Sequence, residues 1–291
     1  MNFLEPEAKC LFSCKTVEGY TLKVLVELLH NIFKTACFII TPESISLRMM
    51  DTHRRTLVDL TLESSRFIHY SLEATDPLNI GVNLTHLNRM LRTIKRKDQL
   101  ILFIKNIQTR EIGIQVIPKD FSRLTTSFIK IQNIQNLEID LPRIRNQSVL
   151  ISSNEFSKMC KDIFNLSTHI FIFANPSHIK FQCNVGNVFC REVHLGDMDR
   201  FKSLEEFEFK DEFDTEQLGK ILKISSLSSN FNIFYEKDLP LLFSSNIGSL
   251  GNIQIYIKSK SQWSESTTLP PSPSSSSSSP PPPSSVSVLD G

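Results

Sequence analysis

Glycine, cysteine and long apolar runs are all scarce in this sequence, and each shortage narrows what the chain can be. Nine glycines occur in 291 residues and no pair of them frames a phosphate-cradling loop, so a nucleotide-binding reading is weak. The six cysteines are too few and too scattered for a disulfide scaffold, which points to a reducing compartment. No apolar run approaches the roughly 20 residues a membrane helix needs. Met1 to Lys9 carries Glu5, Pro6 and Glu7 and no apolar signal core, which argues against secretion. Neither charge sign prevails, with 32 basic against 31 acidic side chains, and a 40% hydrophobic content is ordinary for a globular chain. The length suggests about two domains.

Composition breaks after Lys260. Residues 261–291 hold thirteen serines and half of all the prolines, including the runs Ser274–Ser279 and Pro280–Pro283. Such a segment buries too little apolar surface to offset its ordering entropy and reads as a disordered tail. Before it, the pattern gives strands over Phe38–Thr41, Ile45–Met50, Thr56–Leu62, Leu100–Lys105, Ile112–Ile117, His169–Phe173, Asn232–Tyr235 and Ile253–Lys258. Four short helices are expected over Leu22–Phe33, Thr85–Ile94, Glu155–Phe164 and Thr215–Ile224, capped by Thr21, Thr85, Asn154 and Asp214. Many short strands with few helices give an α+β fold rather than a doubly wound parallel sheet. An Asn-, Gln- and Arg-rich stretch between Ile131 and Val149, containing Pro142, reads as an interdomain connector.

The chain also repeats itself. Shifted by 69 residues, Val82–Ile104 lies over Ile151–Phe173, with Leu87 on Phe156, Arg89 on Lys158, Met90 on Met159 and Arg92 on Lys161. Apolar and basic positions stay in register together, as in a duplicated domain. Arg89, Arg92 and Arg96 share one helix face, as do Lys158 with Lys161, Lys220 with Lys223, and Lys23 with His30. A charged stripe on one helix is usually just a solvated face. Repeated on four helices, it suits contact with a regular polyanion through phosphates, which needs charge and no base reading.

Particular segments then resemble a known family. They are Ala36-Cys37-Phe38, Leu47-Arg48-Met49-Met50-Asp51, Leu57 to Leu62, Gly81-Val82-Asn83-Leu84-Thr85, Glu155 to Asp162, Asp238-Leu239-Pro240-Leu241 and Gly251 to Tyr256. Together they make residues 10–260 similar to the eukaryotic and archaeal DNA sliding clamps, the proliferating cell nuclear antigen family. The resemblance implies two similar clamp domains, 1–132 and 149–260, joined by a connector over 133–148, with the tail 261–291 outside the family pattern. It implies three protomers closed into a ring around duplex DNA, helices inside and antiparallel sheets outside. Lys23, Arg89, Arg92, Lys158, Lys161, Lys220 and Lys223 would then face phosphate, with Arg96 continuing the stripe. His30 stands where the family often has lysine, and histidine is only fractionally charged at neutral pH.

The resemblance further implies a pocket for client peptides at Met50, Leu57, Leu137, Ile139, Pro240 and Tyr256. Leu57 has support from the strand pattern, since it falls with Asp59 and Thr61 on the polar face of Thr56–Leu62. Edge-strand pairing between protomers would involve Ser122–Ile131 and Asn187–Leu195, with Ile129 and Val193 as contacts. Three departures mark a divergent clamp, from a large DNA virus or an unusual eukaryote. Arg54 and Arg55 make the pocket rim more basic, Lys258-Ser259 replaces the usual Ala-Pro, and Pro176 occupies the family's modified-lysine position. The implied role is a non-enzymatic, cofactor-free processivity factor in the nucleus or at a viral replication site. Its partners would be duplex DNA, DNA polymerase, ligase, flap nuclease, a clamp loader and two copies of itself, with no membrane.

Two alternatives remain. One is a subunit of a heterotrimeric checkpoint-type clamp, whose Ser/Pro tail would be a phosphorylated tether. The other is a metal-dependent phosphoesterase on Asp51-x-His53, although no second metal motif follows. Cys183 and Cys190, near His178 and His194, lack zinc spacing, and Cys10-x₃-Cys14 has no answering pair, so all six cysteines read as buried or half-buried thiols. The run Glu205, Glu206, Glu208, Asp211, Glu212, Asp214 reads as a solvated loop.

Overall fold

The computed structural model describes residues 10–106, 108, 110–134, 138–143, 147–186, 188–197 and 206–265. One unit, a strand, a helix and three more strands, recurs four times. The first is β1 (Phe12–Thr16), α1 (Gly19–Ile32), β2 (Thr35–Ile40), β3 (Ser44–Met50) and β4 (Thr56–Glu63). After the short β5 (His69–Leu72) come β6 (Leu78–Asn83), α2 (Leu84–Leu91), β7 (Gln99–Ile104), β8 (Glu111–Ile117) and β9 (Thr125–Lys130). The third is β10 (Ser148–Ser152), α3 (Ser153–Ile163), β11 (His169–Ala174), β12 (His178–Val185) and β13 (Phe189–Gly196). The fourth is β14 (Phe209–Asp214), α4 (Thr215–Lys220) with a 3-10 turn at Leu222–Ser226, then β15 (Asn230–Phe234), β16 (Leu241–Ile247) and β17 (Gly251–Ile257). The 69-residue shift thus overlays the second unit on the third, and the repeated piece is half a domain.

The strands form three antiparallel sheets, ordered β5-β1-β7-β8-β9, β10-β15-β16-β17-β4-β3-β2-β6 and β13-β12-β11-β14. The middle sheet crosses from one half of the chain to the other where β4 pairs with β17, from Leu62 opposite Gly251 to Thr56 opposite Ile257. Val58, Leu60, Ile253 and Ile255 are fully buried behind that seam. At its ends Glu18 accepts hydrogen bonds from Ser249, and Gln217 Nε2 donates to Thr56 Oγ1. Inward-facing residues of every sheet alternate with outward ones, as in β11, where Ile170, Ile172 and Ala174 are buried and Phe171 and Phe173 are not. The helices cover the inner faces in one layer. α1 packs on α2 and on the 222–226 turn, which also packs on α3.

Helix starts differ from expectation. α1, α2 and α3 begin one to three residues earlier, at Gly19, Leu84 and Ser153, so Thr21, Thr85 and Asn154 are helical rather than caps. Asn83 caps α2 by accepting from the His86 N–H at 3.1 Å, and Asp214 caps α4 as expected. The fourth helix breaks at Lys220, where Ile221 leaves helical geometry. The chain also stays ordered past Lys260. A fifth helix, α5 (Lys260–Glu265), lies against β14 through a Lys260–Glu212 ion pair of 3.1 Å and a Ser261–Asp211 hydrogen bond. The serine and proline runs lie outside the described residues. The connector begins by bridging Gln132 to Gly81, where a Cβ would run into the Gln132 carbonyl, so glycine is required.

Candidate nucleic-acid interface and docking groove

The expected phosphate contacts all fall in the helix layer but are not equivalent. Lys23 does not project from it. Its Nζ donates to the Arg92 carbonyl at 3.0 Å, so its charge caps the C-terminal end of α2 and ties that helix to α1. Lys158 pairs with Glu155 at 2.9 Å, Lys220 with Glu216 at 3.7 Å, and Lys223 with Glu27 of α1 at 2.9 Å. Arg89, Arg92 and Lys161 are exposed and, among the described residues, form no ion pair. Arg96 lies past the end of α2, its guanidinium 5.6 Å from the Tyr20 ring of α1. His30 faces Thr85 across the two helices, Nε2 to Oγ1 3.2 Å.

A second site lies on the outer face at the β4–β17 seam. Leu57, Tyr256 and Leu242 are buried together, with Met50, Phe234, Ile139 and Leu141 packed around them. Four of the residues named from the resemblance therefore meet. Pro240 is half-buried two positions before Leu242, and Leu137 lies outside the described residues. Leu57 is not ordinary surface, because Ile139 and Leu141 of the connector lie over it. Arg48 holds that cover in place, donating to the Ile139 carbonyl at 3.3 Å while paired with Asp59 at 2.8 Å. Burial, reinforced by Asp59 and opposed by Arg48, raises the Tyr256 phenol above its ordinary value, so it stays a neutral donor, here to Gln254 Oε1 at 2.9 Å. Sequence reasoning missed Leu242, Phe234 and Leu141. Leu242 is one cross-strand step from Tyr256 and Phe234 one step further, opposite Leu242, a neighbourhood that pairing reveals and spacing does not.

The rim is less basic than its sequence implies. The Arg55 guanidinium lies 3.8 Å from the Trp263 ring centroid, so α5 covers it, while Arg54 is exposed in a turn with φ of 55°. Asp51 is spent on that same turn, its Oδ1 accepting from the N–H groups of Arg55 and Thr56 at 2.7 and 2.8 Å. Among the described residues no three His, Cys, Asp or Glu side chains are grouped to hold a metal. The acidic run is not a solvated loop. Asp211 and Glu212 hold α5, Asp214 caps α4, and Glu205 lies outside the described residues. Burial pushes the Cys14 thiol up to about 12 and raises Cys160 as well, which makes both poor nucleophiles. Cys190, expected to be at least half-buried, is exposed on β13.

β9 and β13 end two of the sheets and have one unpaired side each among the described residues. Ile129 is only 4% exposed, so its side chain is turned away from a contact between protomers, while Val193 is half-buried and rests partly on the core. Other apolar side chains near these edges are exposed. Phe128 is 49% exposed, with Phe121 and Leu124 in the preceding hairpin, and Val188 and Phe189 stand out at the start of β13.

Residues 11–141 match the family model described as Proliferating cell nuclear antigen, N-terminal domain, and residues 141–260 match the model of its C-terminal domain. The chain belongs to the proliferating cell nuclear antigen family. A curated relative in this family, Probable DNA polymerase sliding clamp 1 of Paramecium bursaria Chlorella virus 1, is 25% identical over 255 residues, covering 85% of this chain and 96% of the viral one. The fold matches the crystal structure of Proliferating Cellular Nuclear Antigen from Entamoeba histolytica with a TM-score of 0.74 at 21% identity, covering 86% of this chain and 99% of that one. The two clamp domains, the helix layer and the antiparallel sheets are therefore those of a DNA sliding clamp fold.

Proposed function

We propose that this clamp is a homotrimeric, non-enzymatic processivity factor that encircles duplex DNA without sequence preference and tethers a DNA polymerase to its template. The observation that carries the reading is the pair of unlike open edges, β9 and β13, each with exposed apolar side chains, at the outer ends of two sheets in one chain. Pairing β9 of one copy with β13 of the next is a heterologous contact, which closes into a ring when the rotation allows and hides both edges. The helix layer, with Arg89, Arg92 and Lys161 exposed, would line the hole and meet phosphate by charge alone. The viral relative named as a probable DNA polymerase sliding clamp supports the same reading. The domain division 1–132, 133–148 and 149–260 fits it, with α5 adding Lys260–Glu265 to the folded part.

Clients would enter at the Met50–Leu57–Tyr256 groove as short apolar peptides, displacing or joining the Ile139 and Leu141 cover. A replication site, nuclear or viral, is where such a protein would act. Light scattering on the full chain tests assembly. Three copies of 33.3 kDa give a mass of about 100 kDa, and Phe128→Asp should reduce it to the monomer. A wild-type monomer at micromolar concentration would overturn the homotrimer and favour a subunit of a heteromeric clamp.

A further inference from the structure

The turn between β3 and β4 stands at one end of the docking groove. It closes the hairpin whose last cross-strand pair is Met50 opposite Leu57, and it carries Arg54 and Arg55. Asp51 pins it from both sides, its carboxylate accepting from the Arg55 and Thr56 N–H groups and its carbonyl from the Arg54 N–H at 2.9 Å. Lys258 joins the two arginines just past Tyr256, its own N–H donating to the Arg55 carbonyl at 3.0 Å. Three cations less the Asp51 carboxylate leave a net +2 here. Among the described residues none of the three cations forms an ion pair. The opposite end of the groove has the other sign, since the connector brings exposed Glu138 and Asp140 beside the Arg48–Asp59 pair. α5 covers the cationic end, and its hold is weak. Trp263 lies on the Arg55 guanidinium at 3.8 Å, its indole N–H donating to the Lys258 carbonyl at 3.1 Å. A helix of six residues has little stability of its own, and Trp263 is the only apolar side chain in it. The Lys260–Glu212 pair and the Ser261–Asp211 hydrogen bond that fasten it to β14 are polar and partly exposed.

We propose that Arg54, Arg55 and Lys258 form a carboxylate-binding subsite of the docking groove. It takes acidic residues that flank the apolar anchors of a client peptide, and Trp263 is the occupant that such a residue displaces. A guanidinium meets a carboxylate through paired, charge-assisted hydrogen bonds, which outcompete an indole face at an exposed site. A neutral flank offers no such exchange and leaves α5 in place. The unlike charges at the two ends also fix the direction of the peptide, because glutamates laid against Glu138 and Asp140 would be repelled. None of these residues belongs to β9 or β13, and β14, on which α5 rests, is at the far end of its sheet from β13. The subsite therefore does not depend on the ring edges. It does rest on the client-groove reading above, to which it adds a partner chemistry.

The test titrates the full chain with three synthetic peptides that lack tryptophan and share a pair of phenylalanine anchors. One has glutamates before the anchors, one has them after, and one has glutamines in their place. Calorimetry reads affinity, and the emission of Trp263, the only tryptophan in the chain, reports whether it stays stacked. One glutamate order should bind about fivefold tighter than the glutamine peptide and change the Trp263 emission, while the other order gains nothing. R54Q/R55Q should remove that gain. W263A, which uncovers Arg55, should raise the affinity of the favoured order about twofold and keeps the test alive if the arginine variant fails to fold. Equal affinity for all three peptides, or a gain that R54Q/R55Q leaves intact, overturns the subsite and leaves the groove standing. A gain with unchanged Trp263 emission overturns the displacement of α5. If none of the three peptides binds the wild-type chain, the client-groove reading fails first and the subsite falls with it.

Discussion

The two halves of the helix layer each carry four cations of the proposed interface but deploy them differently. In the N-terminal half Lys23 caps α2, while Arg89 and Arg92 stand exposed and Arg96 lies near the Tyr20 ring. In the C-terminal half Lys158, Lys220 and Lys223 each sit within 4 Å of a glutamate, leaving Lys161 alone. The lesson is that a cationic stripe in sequence measures charge present, not charge available. Exposed pairs of this kind are worth at most about 1 kcal/mol, so phosphate can compete for them, but each paired lysine brings a carboxylate along. The N-terminal half should therefore dominate contact with DNA.

The largest test of that asymmetry is charge reversal. R89E/R92E should lower duplex affinity at least about tenfold at low salt, whereas K158A/K220A should cost less than about threefold. Equal losses, read by anisotropy in one buffer, would erase the difference between the halves. A smaller effect sharpens it from the other side. E27Q/E155Q releases Lys223 and Lys158 from their partners and should raise duplex affinity about twofold to threefold, with thermal stability changed by less than about 0.5 kcal/mol. Tighter binding would show that the carboxylates, not the helix geometry, hold the C-terminal half back.

The smallest effect separates the two edges. His194 on β13 is held below its ordinary 6.5, first by burial and then by Lys180, with Glu192 opposing. The folded chain thus binds fewer protons there than the unfolded chain. Its contribution to stability is intact above pH 6.5 and fades as the pH falls below that value. β9 contains no histidine. With the intrinsic pH dependence of exchange divided out, amide protection should fall along β13 but not β9 on acidification, and His194→Gln should abolish the difference.

How much of this was legible in the sequence depends on whether a feature is local. The eight strands read from apolar runs are all present, whereas β13, with Arg191, Glu192 and His194 among its residues, offers no apolar run and was recognised only by resemblance. Helix faces were legible because periodicity fixes them, but helix starts were not, since Asn83 and Ser152 end strands as well as preceding helices. The i, i+3 and i, i+4 partners Glu155 and Glu216 could have been read from spacing, while Glu27 meets Lys223 only through packing of α1 on the 222–226 turn. Leu57 stands out in the sequence as an apolar residue on a polar face, yet its cover by Ile139 and Leu141 depends on where the connector runs. Ile129 is one pleat out of phase with the outward face of β9. A one-residue error flips a strand side chain from solvent to core, and Phe128 occupies the outward position.

The most direct test of the central claim, that the chain holds DNA by encirclement, needs no loader. The full chain is incubated with a linear duplex tethered to a bead at one end, so that rings can thread on. The free end is then either blocked with a bulky protein or left open, and the beads are washed at high salt to remove electrostatic binding. The account predicts retention on blocked duplex and loss from open duplex. Equal loss from both would contradict it.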